Sequence, residues 1–344
     1  MSMDQLAEAA LGRFGLSPQA TATLCNVSEN HTYRVEDPDS PSGYALRVHR
    51  PGYRTPRQIE SELEWVDALR ADGAIDTPTA VPAPTGERVL HVGDHNVVLW
   101  EWLPGAEPDP EGDAVLDGFK VLGSVSARMH AHARAWDPPA GFDRPPWDYD
   151  HTLGAQGHWG RWQDGLGMGP EELALLGRLD ETIRARLDAY GQGPDRYGLV
   201  HADIRLANLL VDDGHVRVID FDDSGFTWFM YDFATTVSFM EDHPRVPELQ
   251  AAWLEGYRSV APLDPAAEAE LATFVMLRRL LLVAWIGSHH TFATEAGELG
   301  AGFTARATGR LRRSSPSSSG STRCARTARS TPASRCPRPA ATAC

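Results

Sequence analysis

The chain has 344 residues, of which 42% are hydrophobic and 23% are charged, a composition typical of a soluble globular protein. Its formal net charge of −15 argues against nucleic acid as a partner, because phosphate binding requires basic patches. The length is enough for two lobes around a cleft. A cationic substrate or a metal ion matches the acidic charge better.

The first hundred residues predict a small lobe rich in β-strands. The segments "HTYRVED" and "YALRVHR" alternate as strands do, and the turn-rich "PDSPSG" joins them. Next, "PRQIESELEWVDALRADG" has a proline start, helical periodicity and a glycine stop, and so predicts a helix. A second hairpin follows, with "ERVLHV" and "HNVVLWEWL" as its strands. We assign residues 1–103 to this lobe.

Residues 104–304 predict a second, mostly helical lobe. "AVLDGFKVLGSVSARMHAHARAW" and "PEELALLGRLDETIRARLDAYG" have helical periodicity, and further helices are predicted around 232–241, 246–259 and 264–289. The predicted fold class is therefore α+β, with a small β-rich N-terminal lobe and a larger helical C-terminal lobe. Residues 305–344 are rich in Arg, Ser and Pro and poor in large apolar residues, so this C-terminal tail is predicted to be disordered.

The expected location is the cytoplasm. The four cysteines form no CxxC zinc pattern and no disulfide framework, which favours a reducing compartment. The N-terminus lacks a positive segment followed by an apolar core, so it does not resemble a signal peptide. The apolar segment "TFVMLRRLLLVAWIG" is interrupted by Arg278 and Arg279 and is too short to span a bilayer. We therefore expect no membrane partner.

One hairpin, "LVHADIRLANLLVDDGHVRVIDFDD" at residues 199–223, places several polar side chains among Val, Leu and Ile. Asp203 and Asn208 are five residues apart across a tight loop, and Asp220 ends the next strand, so these side chains can face one site. An amide oxygen and a carboxylate suit Mg²⁺, which takes few protein ligands beside phosphate and water. Asp203 can accept or orient a hydroxyl proton. The alternative interpretation is a solvated acidic turn.

"HADIRLAN" followed by "IDFDD" resembles the catalytic and metal-binding loops of the protein-kinase-like phosphotransferases. Among these it is most similar to the aminoglycoside phosphotransferase/choline kinase superfamily, whose loop reads His-Gly-Asp with Asn five residues on. Here Ala202 stands in place of the glycine. "YDFATTV" matches the downstream Asp-Leu-Ala segment of that family, where Asp232 is expected to hold the catalytic loop by hydrogen bonds to its backbone.

The resemblance covers roughly residues 20–300 and implies a bilobal protein-kinase-like fold that uses ATP and Mg²⁺. In that fold Asp203 would orient and deprotonate the acceptor hydroxyl, while Asn208 and Asp220 would hold the metal ion. Arg205, two residues beyond Asp203, could stabilise charge in the transition state. It could equally pair with Asp222 or Asp223.

Such enzymes normally hold the nucleotide phosphates with a strand lysine, but the only lysine of this chain, Lys120, lies on a predicted helix of the second lobe. In "YALRVHR", Ala45-x-Arg47 has the form of the kinase Ala-x-Lys. Ala45 would then lie beside adenine and Arg47 over the phosphates, although arginine cannot shift its charge as lysine can. A surface strand arginine is the alternative interpretation of Arg47.

An acid on the following helix holds the phosphate-binding cation in kinases. Glu62 falls within the apolar sector of that predicted helix, whereas Glu60 and Glu64 point away from it. A buried glutamate needs a partner, so we expect Glu62 to pair with Arg47. The alternative is a glutamate at the edge of the sector that bends toward water.

Two further segments are expected to contact the nucleotide. "SENHTY" lies where the phosphate-covering loop is expected, which makes Ser28 and Asn30 candidate phosphate contacts or members of a plain polar turn. "VVLWEWLPG" resembles the hinge whose extended backbone binds the adenine edge, with Glu101 and Leu103 as candidates through their main-chain groups.

The predicted function is an ATP-dependent phosphotransferase that moves the γ-phosphoryl group to a hydroxyl of a small molecule. An aminoglycoside, an amino alcohol or a related metabolite is the expected acceptor, and a cationic one fits the charge. The segments "ENHTYRV", "LRVHRP" and "DFDD" also resemble bacterial stress-response Ser/Thr protein kinases of the same fold, which is the alternative. A nucleotide-binding module without catalysis is the third hypothesis, because the usual lysine is missing.

Overall fold

The computed structural model describes residues 2–28, 30–109, 112 and 114–314. Its N-terminal part is a six-stranded antiparallel sheet in the order β1-β2-β3-β6-β4, with β5 also paired to β6. The elements of this lobe are α1 (Met3–Arg13), β1 (Thr21–Val27), β2 (His31–Asp37), β3 (Ser40–Val48), α2 (Pro56–Ala71), β4 (Ala80–Val81), β5 (Val89–Val92) and β6 (His95–Glu101).

Helix α2 begins at a capping box. The Thr55 side chain accepts a hydrogen bond from the Gln58 N–H at 3.1 Å, and the Gln58 side chain accepts one from the Thr55 N–H at 3.2 Å. Its apolar face is fully buried, and Trp65 packs edge-on against Phe221 of the second lobe with ring centroids 5.6 Å apart. The helix is therefore fixed to both lobes, and Glu62 lies on the same buried face.

The second lobe is helical, with two small two-stranded sheets. Its elements are α3 (Val115–Ala135), α4 (Tyr149–Thr152), α5 (Pro170–Tyr190), β7 (Tyr197–Val200), β8 (Leu209–Asp212), β9 (His215–Val218), β10 (Gly225–Trp228), α6 (Tyr231–Thr236), α7 (Val246–Arg258), α8 (Pro265–Ala269), α9 (Leu271–His289) and α10 (Thr294–Ser314). Strands β8 and β9 form the predicted acidic hairpin, and β7 pairs with β10. The predicted α+β fold class with a β-rich and a helical lobe is confirmed.

Helix α9 forms the centre of the second lobe. Among the described residues it is the one helix long and apolar enough to cross a membrane, but most of it is buried inside the protein. Arg278 and Arg279 interrupt its apolar surface, and both are buried and paired with acidic side chains. Its burial is that of a core helix.

Several predicted boundaries differ from the structure. The helix predicted at 232–241 ends at Thr236, and Phe239 beyond it has a left-handed φ of 68°, which a continuous helix does not allow. The segment 264–289 forms two helices, α8 and α9. Helix α1 was not predicted; it packs on the sheet through buried residues of its own apolar face.

The prediction that the chain is disordered from residue 305 was wrong for residues 305–314, which are helical. Helix α10 runs to Ser314 with a kink at Gly300, and Phe303 and Ala307 beyond the kink are buried. The remaining part of the predicted tail, residues 315–344, lies outside the described residues. The lobe boundary predicted at residue 103 falls between β6 and α3. The division of the chain into two domains at this point stays a prediction.

Candidate active site

The loop between β7 and β8 is held by a buried carboxylate. Ala202 has a left-handed φ of 65°, and its N–H donates a 2.9 Å hydrogen bond to Oδ1 of Asp232. The other oxygen of Asp232 lies 2.9 Å from Nε2 of His130, whose Nδ1 lies 3.1 Å from the Tyr257 hydroxyl. The prediction that Asp232 holds this loop through its backbone is confirmed.

His201 holds the backbone of the loop at Asp203. Its Nδ1 accepts the N–H of Asp203 at 3.3 Å, so Nε2 carries the ring hydrogen and donates to the Ile219 carbonyl at 3.1 Å. The ring is fully buried. These bonds connect the loop to Ile219, between the end of β9 and Asp220, so His201 serves the geometry of Asp203.

Asp203 and Asn208 contact each other directly. The Asn208 side-chain nitrogen donates to the backbone carbonyl of Asp203 at 2.8 Å and to its Oδ2 at 3.2 Å. Both bonds use the amide nitrogen, which leaves the amide oxygen as the group that can bind a cation. Asp220 also has a left-handed φ of 65°, and its carboxylate is 46% exposed. The hairpin thus offers an amide oxygen and a carboxylate, the hard ligands that suit a divalent cation.

Arg47 crosses from the sheet to this hairpin. Its Nη1 lies 3.0 Å from Oε1 of Glu62, and its Nη2 lies 2.8 Å from Oδ1 of Asp220. Burial raises the pKa of Glu62 to about 7, although the charge of Arg47 acts in the opposite direction. The only candidate phosphate-binding cation on β3 therefore meets the candidate metal ligand, and their roles toward a nucleotide stay predictions.

Two arginines flank the carboxylate of Asp203. Nη2 of Arg278, from α9, lies 2.6 Å from Oδ1, and Nε of Arg205 lies 3.5 Å from Oδ2. The Nη1 of Arg205 also pairs with Glu295 of α10 at 3.3 Å. The alternative in which Arg205 pairs with Asp222 or Asp223 was wrong, because those acids are engaged by residues of the first lobe.

Asn30 is turned away from solvent. Its side-chain nitrogen donates to Oδ2 of Asp222 at 3.0 Å, and its oxygen accepts the Arg50 N–H at 3.1 Å. Asn30 therefore joins the lobes in this structure, and a phosphate contact would require these two bonds to break. Ser28 lies just beyond β1, where its N–H donates to the Asn30 carbonyl at 3.0 Å.

The predicted hinge is extended backbone at the end of β6. The N–H of Glu101 donates to the Thr79 carbonyl at 2.9 Å, so that N–H is engaged inside the protein. Within the described part of the chain, the N–H of Leu103 has no backbone acceptor and could donate to a purine edge. Ala45 pairs with Trp100 across β3 and β6, on the strand that also carries Arg47.

Arg144, which the sequence analysis did not select, connects α2 to the segment after Asp220. It donates to the backbone carbonyls of Gln58 at 2.8 Å, Phe221 at 3.1 Å and Ser224 at 2.7 Å. Its guanidinium is fully buried and lies 3.9 Å from Oε2 of Glu62. Burial lowers the pKa of Arg144 to about 10, so it stays charged at neutral pH.

The sequence held different signals for the two arginines that the prediction missed. Arg278 sits in an otherwise apolar helix, and a charge at such a position needs a buried partner, so it could have been found. Arg144 lies in the irregular segment "FDRPPW", where no periodicity indicates burial. Among the described residues, no group of three or more His, Cys, Asp or Glu is arranged to hold a metal ion.

The fold and the loop geometry define a phosphotransferase of the protein-kinase-like type. A family model described as the phosphotransferase enzyme family matches residues 24–271, and the chain belongs to this family. The resemblance stated from the loop motifs is thereby confirmed, and the protein is an enzyme of the kinase class.

Three relatives show how similar the chain is to known kinases. The solved structure of the microcompartment-associated aminopropanol kinase is 48% identical, with a TM-score of 0.83 and coverage of 90% of this chain and 96% of that chain. Amicoumacin kinase of Bacillus subtilis (strain 168) is 28% identical over 317 residues, 87% of this chain and 89% of the relative. The structure of amicoumacin kinase hAmiN with AMP-PNP, Ca²⁺ and Ami shares the fold, at 22% identity, a TM-score of 0.74 and coverage of 90% and 94%.

Proposed function

We propose that the protein is an ATP-dependent kinase that phosphorylates the hydroxyl group of a small amino alcohol. One observation carries the proposal: Asp203, Asn208 and Asp220 lie together on the acidic hairpin, and the Arg47–Glu62 ion pair of the other lobe reaches the same place. A base, a cation site and a phosphate-binding guanidinium are the parts that phosphoryl transfer needs.

ATP and a divalent cation are supported by the chemistry of these side chains. Asn208 and Asp220 supply hard oxygens, and Mg²⁺ held by them would neutralise the phosphate charge that grows as the bond breaks. The amicoumacin kinase structure contains AMP-PNP and Ca²⁺, which agrees with this assignment. The N–H of Leu103 is the group we assign to the adenine edge, and Arg47 is the group we assign to the phosphates.

Asp203 would take the proton of the acceptor hydroxyl as its oxygen attacks the γ-phosphorus. The carboxylate is only partly buried, so an acceptor can reach it from solvent. Arg205 lies beside it and would stabilise negative charge on the transferred group. The bond between the γ-phosphorus and the bridging oxygen breaks, and ADP leaves with that electron pair.

The identity of 48% to an aminopropanol kinase supports a small amino alcohol as the acceptor. The acidic net charge of −15 agrees with an acceptor that carries an ammonium group. We place the reaction in the cytoplasm, where ATP is available.

The test is a mass-shift screen of the purified protein with ATP and Mg²⁺. The panel contains aminopropanol, ethanolamine, choline, homoserine, an aminoglycoside and a mixture of generic proteins. We expect aminopropanol or another amino alcohol to gain one phosphoryl group, and Asp203→Asn to abolish the product while AMP-PNP still binds. Phosphorylated protein alone would replace this proposal with a protein kinase. ATP binding with no phosphorylated acceptor would favour the module without catalysis.

A further inference from the structure

Arg278 is a buried cation on an otherwise apolar helix. Its side chain is 4% exposed, and the residues around it on α9 are almost all apolar and buried. Burying a guanidinium costs several kcal/mol unless its partners compensate, and a hydrophobic residue of similar size is often as stable at such a position. A requirement of the site, other than stability, would explain an arginine here.

Each of the three guanidinium nitrogens of Arg278 donates to a specific partner. Nη2 donates to Oδ1 of Asp203 at 2.6 Å, Nη1 to the Tyr231 hydroxyl at 3.3 Å and Nε to the Ser238 hydroxyl at 3.1 Å. The guanidinium also lies 5.4 Å from the ring centroid of Trp159. These contacts come from three separate segments, because Tyr231 and Ser238 both belong to α6 and the residues directly after it, so the position of the guanidinium is fixed from several sides.

The neighbouring arginine has a different environment. Arg279 pairs with Glu241 through Nη1 at 2.5 Å, but its Nε and Nη2 are buried without a hydrogen-bond partner among the described residues. Arg279 thus forms an incompletely satisfied ion pair on the same helix, away from Asp203. It provides a matched comparison for the effect of removing a buried arginine.

The two oxygens of Asp203 are held from different sides. Oδ1 accepts from Arg278, while Oδ2 faces the amide nitrogen of Asn208 at 3.2 Å and Nε of Arg205 at 3.5 Å. Without Arg278, the charge of Arg205 would act on the carboxylate unopposed and could bind both oxygens. The carboxylate would then turn toward Arg205.

We propose that Arg278 is a positioning residue for Asp203: it tethers Oδ1 so that Oδ2 faces the acceptor hydroxyl. This inference rests on the proposed role of Asp203 as the base. Tyr231 and Asp232 are adjacent on α6 and act in parallel, one on Arg278 and the other on the Ala202 N–H. One turn of helix therefore sets both the backbone and the side chain of the catalytic loop.

The experiment compares Arg278→Ala and Arg278→Lys with the double variant Arg279→Met/Glu241→Gln. For Arg278→Ala we expect kcat to fall about 10–100-fold, the usual effect of removing a group that orients a catalytic residue. The affinity for AMP-PNP and the KM for ATP should not change. The kcat of Arg278→Lys should lie between those of the wild type and Arg278→Ala, because an ammonium cannot reach all three partners. The double variant should keep the wild-type kcat even where its melting temperature drops.

Added methylguanidine should restore part of the lost kcat in Arg278→Ala and none in Asp203→Asn. A wild-type kcat in Arg278→Ala, or an equal loss in the double variant, would overturn the inference. Crystal structures of the wild type and Arg278→Ala with AMP-PNP distinguish a failure of the positioning role from a failure of the proposed function. Even if no alcohol is phosphorylated, an Asp203 carboxylate that turns toward Arg205 in the variant supports positioning, and an unmoved carboxylate refutes it.

Discussion

Arg47 and Asp220 form a 2.8 Å ion pair that joins the sheet of the first lobe to the acidic hairpin of the second. The same guanidinium holds Glu62 at 3.0 Å, so its single positive charge is shared between two carboxylates, and Asp220 is already engaged by a cation of the protein. Under the proposed function, Mg²⁺ and the phosphates of a nucleotide would therefore compete with this pair. We infer that metal and nucleotide bind together, because ATP can take over Arg47 while the metal takes over Asp220.

Asp220→Ala tests this exchange. We expect the variant to lose Mg²⁺-dependent binding of AMP-PNP and the metal requirement together. Wild-type protein should bind Mg²⁺ alone only weakly, because Asp220 is engaged by Arg47. Titration calorimetry measures the binding of Mg²⁺ alone, of AMP-PNP alone and of AMP-PNP in the presence of Mg²⁺. Tight Mg²⁺ binding to the nucleotide-free wild type would contradict the exchange.

The choice of arginine at position 47 gives a second prediction. Removing a charge-assisted hydrogen bond costs about 1.5–3 kcal/mol, so Arg47→Met should weaken AMP-PNP binding by about 10–100-fold. Arg47→Lys should lose less affinity for AMP-PNP than Arg47→Met, since lysine keeps the positive charge. It should still bind more weakly than the wild type, because lysine can no longer hold Glu62 and Asp220 through two separate nitrogens. Equilibrium binding of AMP-PNP with Mg²⁺ ranks the three proteins, and equal affinity for all of them would remove Arg47 from the phosphate site.

Nucleotide affinity should depend on pH through Glu62. Burial raises its pKa to about 7, so Glu62 gains a proton as the pH falls through that value and no longer attracts Arg47 as an anion. Affinity for AMP-PNP is therefore expected to rise between pH 6 and pH 8, with a midpoint near the Glu62 pKa of about 7. Glu62→Gln should abolish the protein's part of this dependence. Any pH dependence of affinity that remains in Glu62→Gln comes from titration of the AMP-PNP phosphates. Identical pH profiles for the wild type and the variant would rule out a role of Glu62.

The parts of the site that the sequence predicted share one property: they are close in the chain. Asp203, Asn208 and Asp220 lie in one hairpin, so their spacing alone indicates that they meet. Glu62 was selected because a charge on an apolar helical face requires a partner, and its contact with Arg47 follows from that rule. Local spacing and burial are the signals that a single sequence carries well.

The contacts that the sequence did not predict are long-range ones between irregular segments and core helices. Arg278 reaches Asp203 over 75 positions, and Arg144 reaches Phe221 over 77. The loop position of Asn30 suggested either a phosphate contact or a plain polar turn, yet Asn30 bonds to Asp222 across the lobe boundary. Such contacts depend on how distant segments of the chain pack together, which no local pattern encodes.

Arg144 gives a prediction about coupling between α2 and the hairpin. Arg144→Met leaves the carbonyls of Gln58, Phe221 and Ser224 without their shared donor, at about 1–3 kcal/mol for each buried group. We expect a lower melting temperature together with weaker AMP-PNP binding, because Glu62 and Asp220 are both tied to these segments. Arg57→Met is the control, since Arg57 lies on α2, the helix that Arg144 contacts, but pairs with the partly exposed Glu64. A stability loss with unchanged nucleotide affinity would limit Arg144 to folding.

His130 supports the catalytic loop from the opposite side. It lies between Oδ2 of Asp232 and the Tyr257 hydroxyl, and all three side chains are buried. Burial lowers the pKa of His130, although Asp232 acts in the opposite direction, so the ring is neutral and bonds Asp232 through its Nε2 hydrogen. His130→Phe keeps most of the ring volume but leaves a buried carboxylate oxygen without its donor, which costs about 1–3 kcal/mol or more.

The comparison is His132→Phe, two positions further along α3. His132 contacts Asp72, whose carboxylate is 64% exposed and can be solvated when the partner is lost. We therefore expect a clear loss of thermal stability and of kcat for His130→Phe, and little change of either for His132→Phe. Thermal unfolding and single-turnover kinetics measure the two effects. Because Asp232 holds the Ala202 N–H, a His130 variant that loses stability but keeps its kcat would show that the catalytic loop does not depend on this support.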